Sequence, residues 1–240
     1  MRYDVLVELA NDPRSVLLLA NCYLAEDRER TRRDREYRQK LYTYHNILRQ
    51  CGFKLSKKYV RRYYDDEGNV TTKANADMDL AIDALLQARN LDRIILVSGD
   101  GDFIRLVTAL QNMGTRVEVI GFHNVSQELR EAADSYLSGF LIPGLLPIHH
   151  DPDDNLEEGE WFRGTVINFN QERGFGFFRY YRLKQGVLTP ESVFFHLSRS
   201  TVDSDNLFQD PSRVFDFRIA NNPANDDRPE AWDIRLLRES

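Results

Sequence analysis

Residues 94–103 read Ile94-Ile95-Leu96-Val97-Ser98-Gly99-Asp100-Gly101-Asp102-Phe103, and this stretch decides the fold. Its four leading apolar residues predict a strand that is buried on both faces, as strands of parallel sheets are. The apolar positions that follow have the spacing of one helix face, at Phe103, Leu106, Val107 and Leu110. A buried strand that runs through a glycine-containing turn into a helix is typical of an α/β domain.

The same alternation of strands and helices continues on both sides of this stretch. The predicted elements are, in chain order, a buried strand at 16–19, a charged helix at about 26–51, a strand at 58–64, a helix at about 77–88, a strand at 117–120, and a helix that Ser126 opens and that reaches 137. This order predicts a Rossmann-like parallel sheet that is covered by helices on both faces.

The character of the sequence changes near Pro143. Prolines, histidines and acidic residues predict a linker over residues 143–160, and shorter aromatic segments follow it. Five strands are predicted there, at residues 164–169, 174–180, 192–197, 214–219 and 231–236. Five short strands separated by turns favour an all-β OB-type barrel. The predicted domains are therefore 1–142 and 161–240.

Composition and charge limit the function classes. The chain has 240 residues and a net charge of −6, yet residues 26–62 carry 13 Lys and Arg against 5 Asp and Glu. That local surplus suits either a phosphate backbone or a salt-bridged, solvated helix. No apolar run reaches the length of about 18 residues that a membrane span needs. The two cysteines, Cys22 and Cys51, form neither a zinc motif nor a disulfide framework, which favours the cytoplasm.

Two carboxylates follow the central strand, and a third is expected beside them. Asp100 and Asp102 lie at the carboxyl end of the strand, which is where open α/β sheets bind ligands. Asp77 opens a helix whose apolar stripe faces the sheet. Three carboxylates at this edge suit Mg²⁺ or Mn²⁺. The alternative is that an aspartate caps the following helix and that Asp77 only complements a helix dipole.

These residues resemble the NYN domain of the PIN-like nucleases. The resemblance covers about residues 14–142 and is carried by residues 73–83, by residues 95–103, by Gly114 with residues 117–119, and by Leu129 with residues 133–136. It implies a PIN-type fold and a metal-dependent ribonuclease. Asp77, Asp100 and Asp102 match the acidic metal-binding positions of the family. Asn21 matches an asparagine that would position substrate or a water.

One position departs from the family pattern. Leu18 stands where the resemblance implies an aspartate that ligates the metal. Fewer oxygen ligands predict weak affinity for Mg²⁺ and a preference for Mn²⁺. Either a nearby acid such as Asp27 substitutes, or the nuclease is weakened or lost. The sequence leaves these outcomes open.

The C-terminal segment resembles the cold-shock domain. The resemblance is carried by residues 164–170, by residues 173–178 and by residues 193–198. It implies a stacking surface for unpaired bases, formed by Phe175, Phe177, Phe194 and His196. The alternative is that alternating phenylalanines fill a barrel core. Ile167 and Asn168 replace a basic residue and a stacking tryptophan of the family, which predicts weak, non-specific binding.

The leading hypothesis from the sequence is a metal-dependent endoribonuclease that acts on single-stranded RNA. Its RNA backbone contacts would come from Lys57, Lys58, Arg61 and Arg62. The alternative is a non-catalytic RNA-binding or regulatory protein with a degenerate nuclease site. A phosphatase is set aside, because residues 18–20 lack the Asp-x-Asp of an aspartyl nucleophile. The sequence leaves a homodimer open.

Overall fold

The structure, a computed structural model, describes residues 1–64, 70–73, 76–148, 160–202, 205–222 and 228–237. The chain divides into two compact units. One consists of Ser15–Tyr136, and the other combines Met1–Arg14 with Leu137–Ser240.

The first part of the chain alternates helices and strands, as the sequence predicts. In chain order these are α1 (Tyr3–Ala10), β1 (Asn21–Glu26), α2 (Arg28–Arg33), α3 (Arg35–Gln50), β2 (Lys54–Tyr59), β3 (Arg61–Tyr64), β4 (Val70–Lys73), α4 (Ala76–Gln87), β5 (Arg93–Val97), α5 (Ile104–Asn112), β6 (Arg116–Gly121), α6 (Gln127–Ala132) and β7 (Ser135–Ser138).

Parallel pairing organises the strands of the Ser15–Tyr136 unit. Strand β1 pairs in parallel with β2, with Asn21 opposite Lys54. Strand β5 pairs in parallel with β6, and β7 adds a third strand to that sheet. Strands β3 and β4 form a separate antiparallel pair. The predicted α/β class is confirmed.

The core of this unit forms around the stretch that decides the fold. Leu96 of β5, Val107 and Leu110 of α5, Val117 of β6 and Leu129 of α6 are all buried in one hydrophobic cluster. These are the apolar positions of the predicted strand and of the predicted helix face. The buried stripe on α5 therefore follows from periodicity alone.

The predicted strand at residues 16–19 is wrong. Those residues lie outside any strand, and the side chains of Val16, Leu18 and Leu19 are exposed. The strand begins later because Lys54 N donates to Ala20 O at 2.8 Å, which starts the β1–β2 ladder one residue before Asn21. The apolar run at residues 16–19 does not identify a partner strand. The position of a strand in a sheet depends on such a partner, which here is distant in sequence.

Three other boundaries also differ from the prediction. The charged helix is broken into α2 and α3 at Asp34, whose side chain accepts from Tyr37 N and caps the second helix. The predicted strand at 58–64 is two strands, β2 and β3. The last helix stops at Ala132, because Asp134 pairs with Val117 through both its backbone and its carboxylate and turns residues 135–138 into a strand.

The second unit contains a closed barrel of five strands, and the predicted number of strands is confirmed. The strands are β8 (Glu160–Asn170), β9 (Phe175–Lys184), β10 (Val187–His196), β11 (Val214–Asn222) and β12 (Arg228–Leu236). They follow the order β10-β12-β11-β8-β9, and β9 pairs again with β10. The interior is aromatic and contains Phe178, Phe195, Phe208, Phe215 and Phe217, each at most 1% exposed.

The N-terminal helix belongs to the same unit as the barrel. Val5 and Leu6 of α1 are buried, Arg2 N donates to Leu145 O at 2.8 Å, and Gly186 N donates to a Glu8 carboxylate oxygen at 3.3 Å. The structure thus groups residues 1–14 differently from the predicted limit, because α1 packs on the segment that follows β7. The predicted domain limits of 1–142 and 161–240 stay a prediction, and most of the predicted linker lies outside the described residues.

In the part of the chain that the structure describes, no helix combines the length and the apolar character required to span a bilayer.

Candidate functional site

The loop after β5 presents two exposed carboxylates. Asp100 and Asp102 are both exposed, and Asp100 Oδ1 accepts from Asp102 N at 2.9 Å. Asp100 is thereby the N-cap of the helical turn Gly101–Phe103. Asp100 therefore caps the following helical turn, which is the alternative that the sequence left open. Asp102 is exposed to solvent. Gly99 allows this loop to lie close to Val125, because a Cβ at position 99 would lie 3.2 Å from the Val125 backbone.

Helix α4 carries the third predicted carboxylate and two further acids. Asp77 is exposed in the first turn of the helix. Asp79 is half-buried and accepts two hydrogen bonds from Lys58 Nζ, at 2.6 and 2.7 Å. Asp83 accepts from the Tyr23 hydroxyl at 2.9 Å. Burial of Tyr23, reinforced by the Asp83 carboxylate, raises the pKa of this tyrosine.

These acids do not meet the requirement of a divalent-cation site. Within the described ranges there is no group of three or more His, Cys, Asp or Glu side chains that could hold a metal ion. Leu18 supplies no oxygen and its side chain is 62% exposed. Asp27 already caps α2, accepting from Glu29 N and Arg30 N at 3.0 Å each. Because Mg²⁺ prefers a near-ideal set of oxygen ligands, the observed arrangement does not fit such an ion.

The predicted backbone-binding lysines already have carboxylate partners. Lys57 Nζ lies 2.8 Å from Glu26 Oε1 and 3.0 Å from His45 Nδ1, and His45 Nε2 lies 3.2 Å from the same oxygen. Burial of His45, together with the Lys57 charge, lowers the pKa of the imidazole. Lys58 pairs with Asp79. Their charges are therefore largely balanced within the unit. The side chains of Arg61 and Arg62 lie outside the described residues.

Unbalanced positive charge lies instead on α2 and α3. Arg28 stacks on the Tyr59 ring, and Arg30 stacks on Tyr37 and lies 4.0 Å from Asp34. The guanidinium groups of four other arginines of these helices have no ion-pair or hydrogen-bond partner among the residues that the structure describes. These are Arg32, Arg33, Arg35 and Arg38. Among the acids on and beside these helices, Asp27 and Asp34 accept hydrogen bonds from helix N-termini, and Glu36 pairs with Lys40 at 2.6 Å.

The barrel presents the predicted aromatic residues on its outward face. Phe177 is 38% exposed, and Phe175, Phe194 and His196 are half-buried. The Phe194 ring lies between two neighbours, 5.7 Å from the centroid of Phe175 and 5.7 Å from that of Phe177. His196 is the cross-strand partner of Phe175, and Phe194 is that of Phe177. We refer to these four residues as the aromatic face.

Different phenylalanines fill the barrel interior. Phe178 and Phe195 alternate with the aromatic face along β9 and β10, and both are 0% exposed. The alternative that Phe175 and Phe177 form the core therefore does not hold. The core is complete without them, and their partial exposure requires another explanation.

Two glycines flank Phe175 in the sequence, and the backbone requires both. Gly174 has φ of +64°, a conformation that favours glycine. At Gly176 a Cβ would lie 2.3 Å from Asn168 O and 2.8 Å from the Phe195 ring, so only glycine fits between the two strands. His196 Nδ1 accepts from Ser198 N at 3.2 Å.

Comparison with known proteins identifies the family. The profile of the NYN domain matches residues 1–145 of the chain. The chain belongs to the NYN domain family. This family is nuclease-like and related to RNA.

Similar proteins match this NYN protein over part of its length. It is 31% identical over 97 residues to the low amplitude and bright protein LabA of Synechococcus elongatus, a match that covers 39% of this chain and 52% of LabA. The chain thus spans about half the length of that relative. It also resembles the crystal structure of a protein of unknown function from Vibrio parahaemolyticus, with 31% identity, a TM-score of 0.44, and coverage of 57% of this chain and 76% of that chain.

Two sets of residues in the NYN protein were not predicted from its sequence. In the sequence, the unpaired arginines of α2 and α3 show only as a local surplus of positive charge. Which acids remain to pair with them depends on where the two helices begin, because Asp27 and Asp34 cap those helices. Arg179, two positions after Phe177, continues the alternation of the outward face and could have been found from the period of two.

Proposed function

We propose that the chain binds single-stranded RNA through the aromatic face of its barrel. The observation that carries this proposal is the separation of two aromatic sets on the same strands. One set is fully buried and forms the core, and the other is partly exposed at 38% for Phe177. Exposed rings cost hydration free energy, and stacking with unpaired bases would offset it.

The arrangement of the rings supports bases as the ligand. Three phenylalanine rings and an imidazole occupy two adjacent cross-strand rows. Strands β9 and β10 are the second and third strands of the barrel, and the corresponding face binds oligonucleotides in OB-folds. We therefore also propose that the barrel is an OB-fold of the cold-shock type.

The acidic balance of the barrel does not oppose this function at the aromatic face. Several carboxylates of the barrel have cationic or hydroxyl partners within the described residues. Glu191 accepts from the Tyr180 hydroxyl and from Arg182, and Asp216 pairs with Arg163 at 2.7 Å. Their negative charge is therefore partly balanced before an RNA strand approaches.

Fluorescence anisotropy with labelled oligo(U) tests the proposal. We expect Phe177→Ala to weaken binding by about 5- to 150-fold, since a stacked base is worth about 1–3 kcal/mol. Val187→Ala is the matched control, because Val187 is also exposed at 37% but lies at the opposite end of β10. Equal affinities of the wild type and Phe177→Ala would contradict the proposal.

Metal-dependent hydrolysis is the second candidate function. It is favoured by the exposed Asp100 and Asp102 at the carboxyl end of a parallel strand, with Asp77 and Asn21 as the other predicted members and Mg²⁺ or Mn²⁺ as the cofactor. Against it stand the poor fit of the described acids to a cation and the leucine at position 18. We therefore infer RNA binding by a chain whose nuclease site is degenerate.

A further inference from the structure

The outward face of the barrel continues beyond the aromatic face. Arg179 lies on β9, one outward step beyond Phe177, and is exposed. Its cross-strand partners are Ser192 on β10 and Thr165 on β8. One further step along β9 places Tyr181 opposite Pro190. Each outward step spans about 7 Å along the strand.

Arg179 differs from the other arginines nearby because its guanidinium is not balanced. It has no ion-pair or hydrogen-bond partner among the residues that the structure describes, and both flanking side chains are neutral hydroxyls. In contrast, Arg163 pairs with Asp216, and Arg182 pairs with Glu160 at 2.7 Å and with Glu191 at 3.0 Å.

A second exposed arginine lies at the other end of the aromatic face. Arg173 belongs to the hairpin between β8 and β9, where its backbone N–H donates to Asn170 Oδ1 at 3.0 Å. Asn170 is itself the cross-strand partner of Phe175. The side chain of Arg173 also lacks a partner within the described ranges. Arg173 and Arg179 therefore lie on either side of Phe175 and Phe177 along the chain.

We propose that Arg179 binds the phosphate backbone of the RNA strand whose bases stack on the aromatic face, and so extends that site by one nucleotide step. The inference rests on the proposed function. A guanidinium beside a row of rings can donate to phosphate oxygens while the bases lie on the rings. Because a phosphate contact carries no sequence information, Arg179 contributes affinity and position but no base preference.

The test is a salt titration of oligo(U) and oligo(A) binding by the full chain. We expect the slope of log affinity against log salt to fall by about 0.7 in Arg179→Gln, which is the value for one phosphate contact on a single strand. Affinity should fall by the same factor for both oligomers. Arg179→Lys should keep the slope, because it keeps the charge. Arg213→Gln is the control, since Arg213 is exposed but pairs with Asp210 at 3.1 Å.

The variants separate failure of this inference from failure of the proposed function. If Phe177→Ala weakens binding but Arg179→Gln leaves the slope unchanged, the Arg179 contact is wrong and the aromatic face stands. If Arg179→Lys behaves like Arg179→Gln, the role is not that of a phosphate-binding charge, and the inference is overturned. If neither Phe177→Ala nor Arg179→Gln alters binding, the proposed function fails as well. Circular dichroism melts confirm that each variant is folded.

Discussion

Tyr180 shows how a single residue of the barrel couples core packing to ionisation. Its side chain is 5% exposed, and its ring packs against Phe162 with centroids 4.6 Å apart. The hydroxyl donates to Glu191 Oε2. Burial, reinforced by the Glu191 carboxylate, raises the pKa of Tyr180 to about 12. The same hydrogen bond, with help from Arg182, lowers the pKa of Glu191.

These pKa values predict an alkaline loss of stability. The unfolded tyrosine ionises near its ordinary value of 10, whereas the folded one stays neutral to about 12. The stabilisation is therefore complete below the unfolded pKa and is lost as the pH rises through the folded one. Urea unfolding across this window should show a steeper loss for the wild type than for Tyr180→Phe. Tyr181→Phe is the control, and parallel curves for the wild type and Tyr180→Phe would contradict the assignment.

At the scale of elements, the spacing of apolar residues predicted several helices and strands, whereas the boundaries of others depend on pairing with residues distant in sequence. Apolar spacing predicts strand β5, helix α5 and the five barrel strands. Each of these elements buries an apolar face in a core, and that face is visible in its own sequence. The strand expected at 16–19 failed because its register depends on the contact of Ala20 with Lys54. The break between α2 and α3 was present in the sequence as Asp34, a residue favoured at helix N-caps.

The cap at Asp34 is testable. Its side chain accepts from Tyr37 N at 2.9 Å and so satisfies one of the unpaired donors at the start of α3. Asp34→Ala should reduce the free energy of unfolding by about 1 kcal/mol, whereas Asp34→Asn, which can also accept this hydrogen bond, should lose little. Urea unfolding followed by circular dichroism measures both. An equal loss in the two variants would assign the effect to the charge of Asp34, which lies 4.0 Å from Arg30, and not to the cap.

At the scale of the whole molecule, domain order and fold class followed from the sequence, while the arrangement of the acids did not. The motif places Asp77, Asp100 and Asp102 at the ends of a strand and a helix. Whether their carboxylates come close enough to share a metal ion depends on the geometry of the loops, which no local sequence pattern encodes. Here the Asp100 carboxylate accepts from the backbone of its own loop. The aromatic face was easier to predict, because strand alternation alone places Phe175 and Phe177 on one side.

These differences predict binding without cleavage. With labelled single-stranded RNA and either Mg²⁺ or Mn²⁺, the wild type should bind and leave the strand intact, and Asp100→Asn should behave identically. Leu18→Asp should add no activity, because Leu18 is 62% exposed and outside any strand, and one more carboxylate does not bring the other acids together. Denaturing gels measure cleavage, and anisotropy under the same conditions shows that the RNA is bound. Cleavage by the wild type that disappears in Asp100→Asn would instead establish an active nuclease. A gain of cleavage in Leu18→Asp would show that position 18 adjoins the aspartates when RNA is bound, since a carboxylate can only contribute where the other ligands are within reach.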